Sequence, residues 1–251
     1  MTQQFREAIA ARPDGIVMMG IAGDKALLPL AKQARDAGIK IMWQTADVPD
    51  LRRQCGGGYI GVLDLHAQGW NLAQKAIDTL GLNKNGSVIV VGPWGQPGRL
   101  LREGAVAECF EKHGYKVIRL KNEDHWASDP NLATPTITAA LITNPDASCL
   151  VLPGGQLLGA APSYFTAAHK KPGEVKAVGF DVSPEIIRGF KRGYIQLTSD
   201  QQPYLHGYLS VLSICLQSCY DLAPLVVDTG SNFVTTENYM AVEELANQGL
   251  R

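Results

Sequence analysis

Apolar runs of four to six residues alternate with helix-patterned segments along nearly the whole chain, and this alternation restricts the fold more than any other feature. The runs include Ile16–Met19, Ile39–Trp43, Val88–Val91, Lys116–Leu120, Cys149–Leu152 and Ala177–Phe180. Between them lie predicted helices at Asp24–Ala37, His66–Leu80, Arg99–His113, Asn131–Thr143 and Leu157–His169. Strands alternating with helices of about 10–15 residues specify parallel sheets, because a parallel pair needs a long crossover. Thr2–Arg12 reads as an amphipathic helix, and Tyr59–Val62 as a short extended piece that delivers Asp64. Asn83–Gly86 is a turn cluster and a candidate crossing between lobes. Pro135 should fray or kink the first turn of its helix. Gln202–Tyr220 is the longest predicted helix, with Leu205, Leu209, Leu212 and Leu216 on one face. Leu225–Val227 and Asn232–Val234 are short strands, and a last helix begins at Thr236 or Glu237.

Composition narrows the function. With 251 residues, 45% hydrophobic and 19% charged, the chain is long enough for one large domain or two small ones. A net charge of −1 advertises no field for nucleic acid or anionic membrane. No apolar run approaches a membrane span. Cysteines 55, 109, 149, 215 and 219 show neither zinc spacing nor a CxxC pair and read as buried free thiols. The five histidines form no HExxH pair, and GxSxG and Walker A motifs are absent. His66 and His206 each open a predicted helix and read by default as surface histidines. No catalytic residue, metal site or cofactor is therefore expected.

The most informative stretch is Ala177–Pro203. Ala177–Phe180 is a buried strand ending at Asp181, and Ser183-Pro184 starts a helix by N-cap and first-turn proline. Tyr194–Leu197 is the next strand and runs out into Asp200-Gln201. Ligands of open α/β sheets bind outside the carboxyl ends of the strands, so Asp181 and Asp200-Gln201 are expected to line one cleft. After Val88–Val91, the loop Gly92–Gly98 carries two prolines that remove donors a pyrophosphate would need. Trp94 in that loop is either an aromatic platform for a ring or a loop-packing tryptophan. Trp43 reads as core.

Gly179-Phe180-Asp181, a helix, Gly193-Tyr194-Ile195 and then Asp200–Tyr208 resemble the type I periplasmic sugar-binding proteins, the ribose- and galactose-binding family. The resemblance runs from about Phe5 to the C-terminus. It implies two Rossmann-like lobes with parallel sheets joined by a three-segment hinge. The expected lobes are residues 1–85 plus 202–229 and residues 86–201 plus 230–251. The crossings are expected near Asn83–Gly86, Ser199–Gln202 and Asp228–Ser231. The family's first lobe opens with a strand, a helix and another strand, for which nothing upstream of Thr2–Arg12 answers. The resemblance thus implies a chain that starts inside that lobe.

It also implies ligand roles. Asp64 and Asp181 match the family's acidic sugar ligands, Asp64 being alternatively a helix N-terminal residue. Gln201 matches a hinge-adjacent amide, whose donors and acceptors suit a polyol. The family's ligand arginine falls on Leu101, with Arg99 and Arg102 flanking it, and Arg99 is the candidate taken here. Where members often carry Asn-Asp, this chain has Gly154-Gly155 and then Gln156, which opens the ligand to a polyol or modified sugar. The implied function is the periplasmic solute-binding component of an ABC-type sugar uptake system, a monomer handing its ligand to a membrane permease and performing no chemistry. The alternatives are the effector domain of a Lac-repressor-like regulator, a sugar-signal receptor and, for the acids Asp64 and Asp181, a sugar-modifying enzyme.

Overall fold

The computed structural model describes residues 1–95, 100–230 and 232–251. In chain order the elements begin α1 (Thr2–Ala10), β1 (Gly15–Met19), α2 (Gly23–Asp36), β2 (Lys40–Gln44), α3 (Pro49–Cys55), β3 (Gly58–Gly61) and α4 (Leu65–Thr79). Next come β4 (Ser87–Gly92), α5 (Leu101–Lys112), β5 (Lys116–Lys121), α6 (Thr134–Thr143), β6 (Cys149–Leu152), α7 (Gly155–Gly159) and α8 (Ala161–Ala167). The chain continues through β7 (Lys176–Phe180), α9 (Pro184–Lys191), β8 (Ile195–Asp200), α10 (Pro203–Tyr220), β9 (Val226–Asp228), β10 (Asn232–Thr235) and α11 (Tyr239–Asn247). Pro135 sits in the first turn of α6, and the turn ahead of it, Pro130–Ala133, tightens to a 3-10 helix.

Two compact units result, Met1–Leu63 with Gln201–Gly230 and Asp64–Asp200 with Ser231–Arg251. The chain passes between them at Leu63–Asp64, Asp200–Gln201 and Gly230–Ser231. The first passage lies earlier than the Asn83–Gly86 crossing expected from sequence, so α4 belongs to the second unit. The cause is packing against α5. A Cβ on Gly69 of α4 would stand 2.0 Å from the carbonyl oxygen of Arg102, so only glycine lets the two helices approach this closely.

The first unit is a four-stranded parallel sheet in the order β1-β2-β3-β9. One face buries Phe5, Ile9, Leu27, Leu30 and Leu51 from α1, α2 and α3 around the fully buried Trp43. Phe5 meets Trp43 edge to face at 6.0 Å, and Trp43 is core as its strand position implies. α10 covers the other face. A Cβ on Gly58 would lie 2.1 Å from the Leu225 carbonyl oxygen, which explains how β9 closes onto β3.

α10 departs from the sequence expectation. The side toward the sheet carries His206, Ser210, Ser213 and Gln217, while Leu205, Leu209 and Leu216 are half-buried and Leu212 is exposed. Hydrogen bonding decides this orientation. Ser213 Oγ accepts the Leu225 N–H at 3.0 Å, and Gln217 Nε2 donates to the Ser213 carbonyl at 3.1 Å. Cys215 and Cys219 consequently face outward, whereas Cys55, Cys109 and Cys149 are buried as expected. Burial pushes the Cys109 thiol up to about 11.

The second unit is a six-stranded sheet in the order β10-β8-β7-β6-β4-β5, parallel except for β10 against β8. Side chains alternate across it. Val88, Val90, Cys149 and Val151 join the core under α4 and α5, and Ile89, Val91, Leu150 and Leu152 join the opposite core under α6, α8 and α9. Strands covered on both faces need continuous apolar sequence, which is the pattern these runs show. The edge strand β5 carries Lys116, Arg119 and Lys121, charges that discourage edge pairing. Among the described residues no helix is long and apolar enough to cross a membrane.

Substituting Gly69→Ala tests the α4–α5 packing. Overpacking against a backbone carbonyl should cost about 1–3 kcal/mol, which lowers the melting midpoint by roughly 2–12 °C in calorimetry. An unchanged midpoint would refute the close approach.

Candidate functional site

The second unit has a topological switch point at β4. The chain leaves β4 toward β5 on one side and leaves β6 toward β7 on the other, so the loops after β4 and β6 diverge. The carboxyl ends of β4, β6, β7 and β8 meet there.

Asp181 ends β7 with a left-handed backbone, φ 72°, an uncommon state for a residue with a Cβ. Hydrogen bonds from two other strand ends hold it. Its N–H donates to the Ser199 carbonyl at 2.9 Å, and its carbonyl accepts Thr198 Oγ1 at 2.7 Å. Its Oδ2 accepts the Gly155 N–H at 3.0 Å, at the start of α7 after β6. A Cβ on Gly155 would stand 3.1 Å from Asp181 Cβ, so the glycines after β6 keep room for this carboxylate.

Arg102 joins the same edge from the first turn of α5. Its guanidinium stacks on Phe180 at 3.8 Å, donates to the Pro153 carbonyl at 2.6 Å and pairs with the buried Glu103 at 2.8 Å. The sequence marked this position only as flanking Leu101. Arg99, its candidate ligand, lies outside the described residues. Trp94 donates its indole N–H to the Val90 carbonyl at 3.0 Å, with the Arg119 guanidinium 5.3 Å over the ring. Those contacts anchor the indole in its loop, with the ring half-buried.

Asp64 also lies in the second unit, where it caps α4: its Oδ1 accepts the Ala67 N–H at 2.8 Å. Its side chain is exposed at the helix start. One turn on, the buried Gln68 donates to Ser199 Oγ at 3.0 Å, and its Oε1 has no hydrogen-bond partner among the described residues. Nothing in the spacing of the sequence pointed to Gln68, because α4 comes beside β8 only through tertiary packing. Asp200 at the end of β8 is fully buried and paired at 2.6 Å with Arg251.

In the first unit, Gln201 precedes the left-handed Gln202, φ 55°, which leads into α10. His206 is buried, correcting its reading as a surface histidine. Its Nε2 lies 2.9 Å from both the Gln201 carbonyl and Thr229 Oγ1, so it ties the start of α10 to the residue after β9. His66 is exposed as expected and pairs with Glu108 at 3.3 Å. Among the described residues no three metal-ligating side chains cluster.

Parallel sheets in both units, a switch-point edge and three chain passages define the fold of the type I periplasmic binding proteins. The model of the periplasmic binding protein domain matches residues 1–217, and the chain belongs to that family. Its relatives are sugar-binding proteins of ABC transporters rather than enzymes. A carbohydrate transporter protein of Acidothermus cellulolyticus, solved with myo-inositol, is 25% identical with a TM-score of 0.82, covering 100% of this chain and 84% of that one. A solute-binding protein of Burkholderia graminis, solved with D-arabinose, shares the fold at 24% identity and a TM-score of 0.78, over 94% of this chain and 80% of that one. The xylose/arabinose-binding protein XylF of Sulfolobus acidocaldarius is 44% identical over 68 residues, 26% of this chain and 17% of XylF.

The cap and any ligand role of Asp64 separate experimentally. Asp64→Ala should lower stability by about 1 kcal/mol, or roughly 2–4 °C in a melt, while Asp64→Ser keeps the cap and the midpoint. Equal loss in both variants would contradict the capping role.

Proposed function

We propose that this chain is the periplasmic solute-binding component of an ABC-type uptake system for a sugar or polyol. It closes its two lobes about the ligand by hinge motion and presents the closed form to a membrane permease. The observation that carries this reading is the anchored Asp181 carboxylate at the switch-point edge, in a chain of this family. A carboxylate accepts several hydrogen bonds at once, which suits hydroxyl donors, and the Arg102 guanidinium lies over Phe180, the residue before Asp181. Asp64, Gln201, Trp94 and Arg99 are assigned to the same ligand, Trp94 as an apolar wall against a ring. Family membership and the myo-inositol complex of the Acidothermus protein favour a cyclic polyol or a neutral sugar.

Melting the chain against pentoses, hexoses and cyclic polyols tests the proposal. Ligand at about a hundred times its Kd adds roughly 2.7 kcal/mol, a rise of roughly 5–11 °C. Losing a charge-assisted bond in Asp181→Ala is worth about 1.5–3 kcal/mol, so affinity should fall roughly 10–150-fold by calorimetry. A cooperative melt that no member of the panel shifts would sink the proposal. Unchanged affinity in the variant would remove Asp181 from the site.

A further inference from the structure

Gln68 is the one polar side chain among the buried residues of α4, the others being Gly69, Leu72, Ala73 and Ala76. It is 5% exposed, donates from Nε2 to Ser199 Oγ at 3.0 Å, and leaves its Oε1 without a hydrogen-bond partner among the described residues. Burying an unpaired amide oxygen weakens a fold. A methionine against an alanine would fill the same space and leave nothing unpaired. Packing alone therefore does not account for an amide at this position. Its bond to Ser199 is what remains to explain it.

That bond falls between the two acids assigned to the ligand, and every residue concerned lies in the second unit. The carbonyl of Asp64, at the cap of α4, accepts the Gln68 N–H at 3.0 Å. Gln68 Nε2 reaches Ser199 Oγ, and the carbonyl of Ser199, fully buried in β8, accepts the Asp181 N–H at 2.9 Å. A run of hydrogen bonds thus joins the helix cap to the left-handed backbone of Asp181. Its outer links are main-chain bonds that come with the helix and the sheet. The middle link depends on two side chains. A residue with a Cβ stays left-handed only while its surroundings hold it there, so slack at Ser199 passes to Asp181.

We propose that Gln68 is a positioning residue. By holding Ser199 Oγ it fixes the end of β8 against which Asp181 is set, and so fixes the Asp181 carboxylate relative to Asp64. Gln68 acts through Ser199 rather than on the ligand. The consequence for affinity rests on the sugar-binding reading, whereas the hold on the Asp181 backbone stands without it.

Amide hydrogen exchange of the ligand-free full chain tests the hold, and calorimetry with myo-inositol and D-arabinose as probes tests its consequence. In Gln68→Met the Asp181 N–H should exchange at least about tenfold faster than in the wild type, while the N–H of Val90, in the middle of the same sheet, is unchanged. Ser199→Ala keeps the main-chain carbonyl that takes the Asp181 N–H, so it should have the same effect, and it carries the test if Gln68→Met fails to fold. The double variant should exchange no faster than either single one, because both remove one link. A probe that binds the wild type should bind each variant roughly 2–13-fold more weakly, the worth of one hydrogen bond. Faster exchange at Asp181 in a chain that binds neither probe upholds the positioning and counts against the sugar reading. Exchange at Asp181 that matches the wild type in both variants overturns the proposal. So does equal acceleration at Asp181 and Val90, the mark of global destabilisation, or an affinity for a bound probe that neither variant changes.

Discussion

The carboxyl edge of the six-stranded sheet depends on the backbone of Asp181. A residue with a Cβ in the left-handed region is held there only when its surroundings over-determine it. Here the determinants come from two other strands: Ser199 and Thr198 on β8 take the backbone, and Gly155 after β6 takes the carboxylate. Three strand ends are thereby locked to one another. The carboxylate therefore points along a fixed direction, with little side-chain freedom left to it. The same logic extends to Arg102, whose planar guanidinium is fixed by the Phe180 ring on one face and the Pro153 carbonyl at its edge. Phe180 is the residue before Asp181, so one strand end positions both a cation and an anion.

α10 illustrates a different balance. Burying hydroxyls and amides against a sheet is costly unless each is satisfied, and here most are. His206 reaches the Gln201 carbonyl and Thr229, and Ser213 and Gln217 bond each other and the strand approach at Leu225. Once satisfied, those groups make the helix position unique, because rotation about its axis would strand all of them at once. Apolar side chains gain less from position, since any dry surface serves them. The leucine stripe of α10 therefore yields the sheet to the polar face and takes the flank.

This balance explains which parts of the molecule could be read from sequence. Strand runs such as Val88–Val91 and Cys149–Leu152 were legible because burial on both faces leaves a local signature. Asp181 was legible because a strand end is a local event, and the position of Trp43 in a strand likewise marked it as core. The orientation of α10 was not legible: a 3.6-residue leucine period identifies a helix, but the hydrogen-bond partners that choose its buried face lie at Thr229 and Leu225. The exposure of Cys215 and Cys219 follows from that same choice. The passage at Leu63–Asp64 was hidden for a similar reason. Asn83–Gly86 carries the stronger turn chemistry, yet Gly69 against the Arg102 carbonyl is a tertiary contact that no window of residues around position 69 announces.

The end of β8 carries the last of these dependencies. Asp200 is fully buried, and a carboxylate without water demands a partner of opposite charge in good geometry. Arg251 supplies it at 2.6 Å from 51 positions away. Removing one member of such a pair leaves a buried charge uncompensated, which costs far more than the pair itself contributes. The pair thus ties the end of β8 to residue 251, and Gln201 follows directly. A local run of three polar residues, Asp200-Gln201-Gln202, marks this strand exit in the sequence. What holds it in place is long-range, and the same separation between a legible strand end and an illegible support recurs at Asp181.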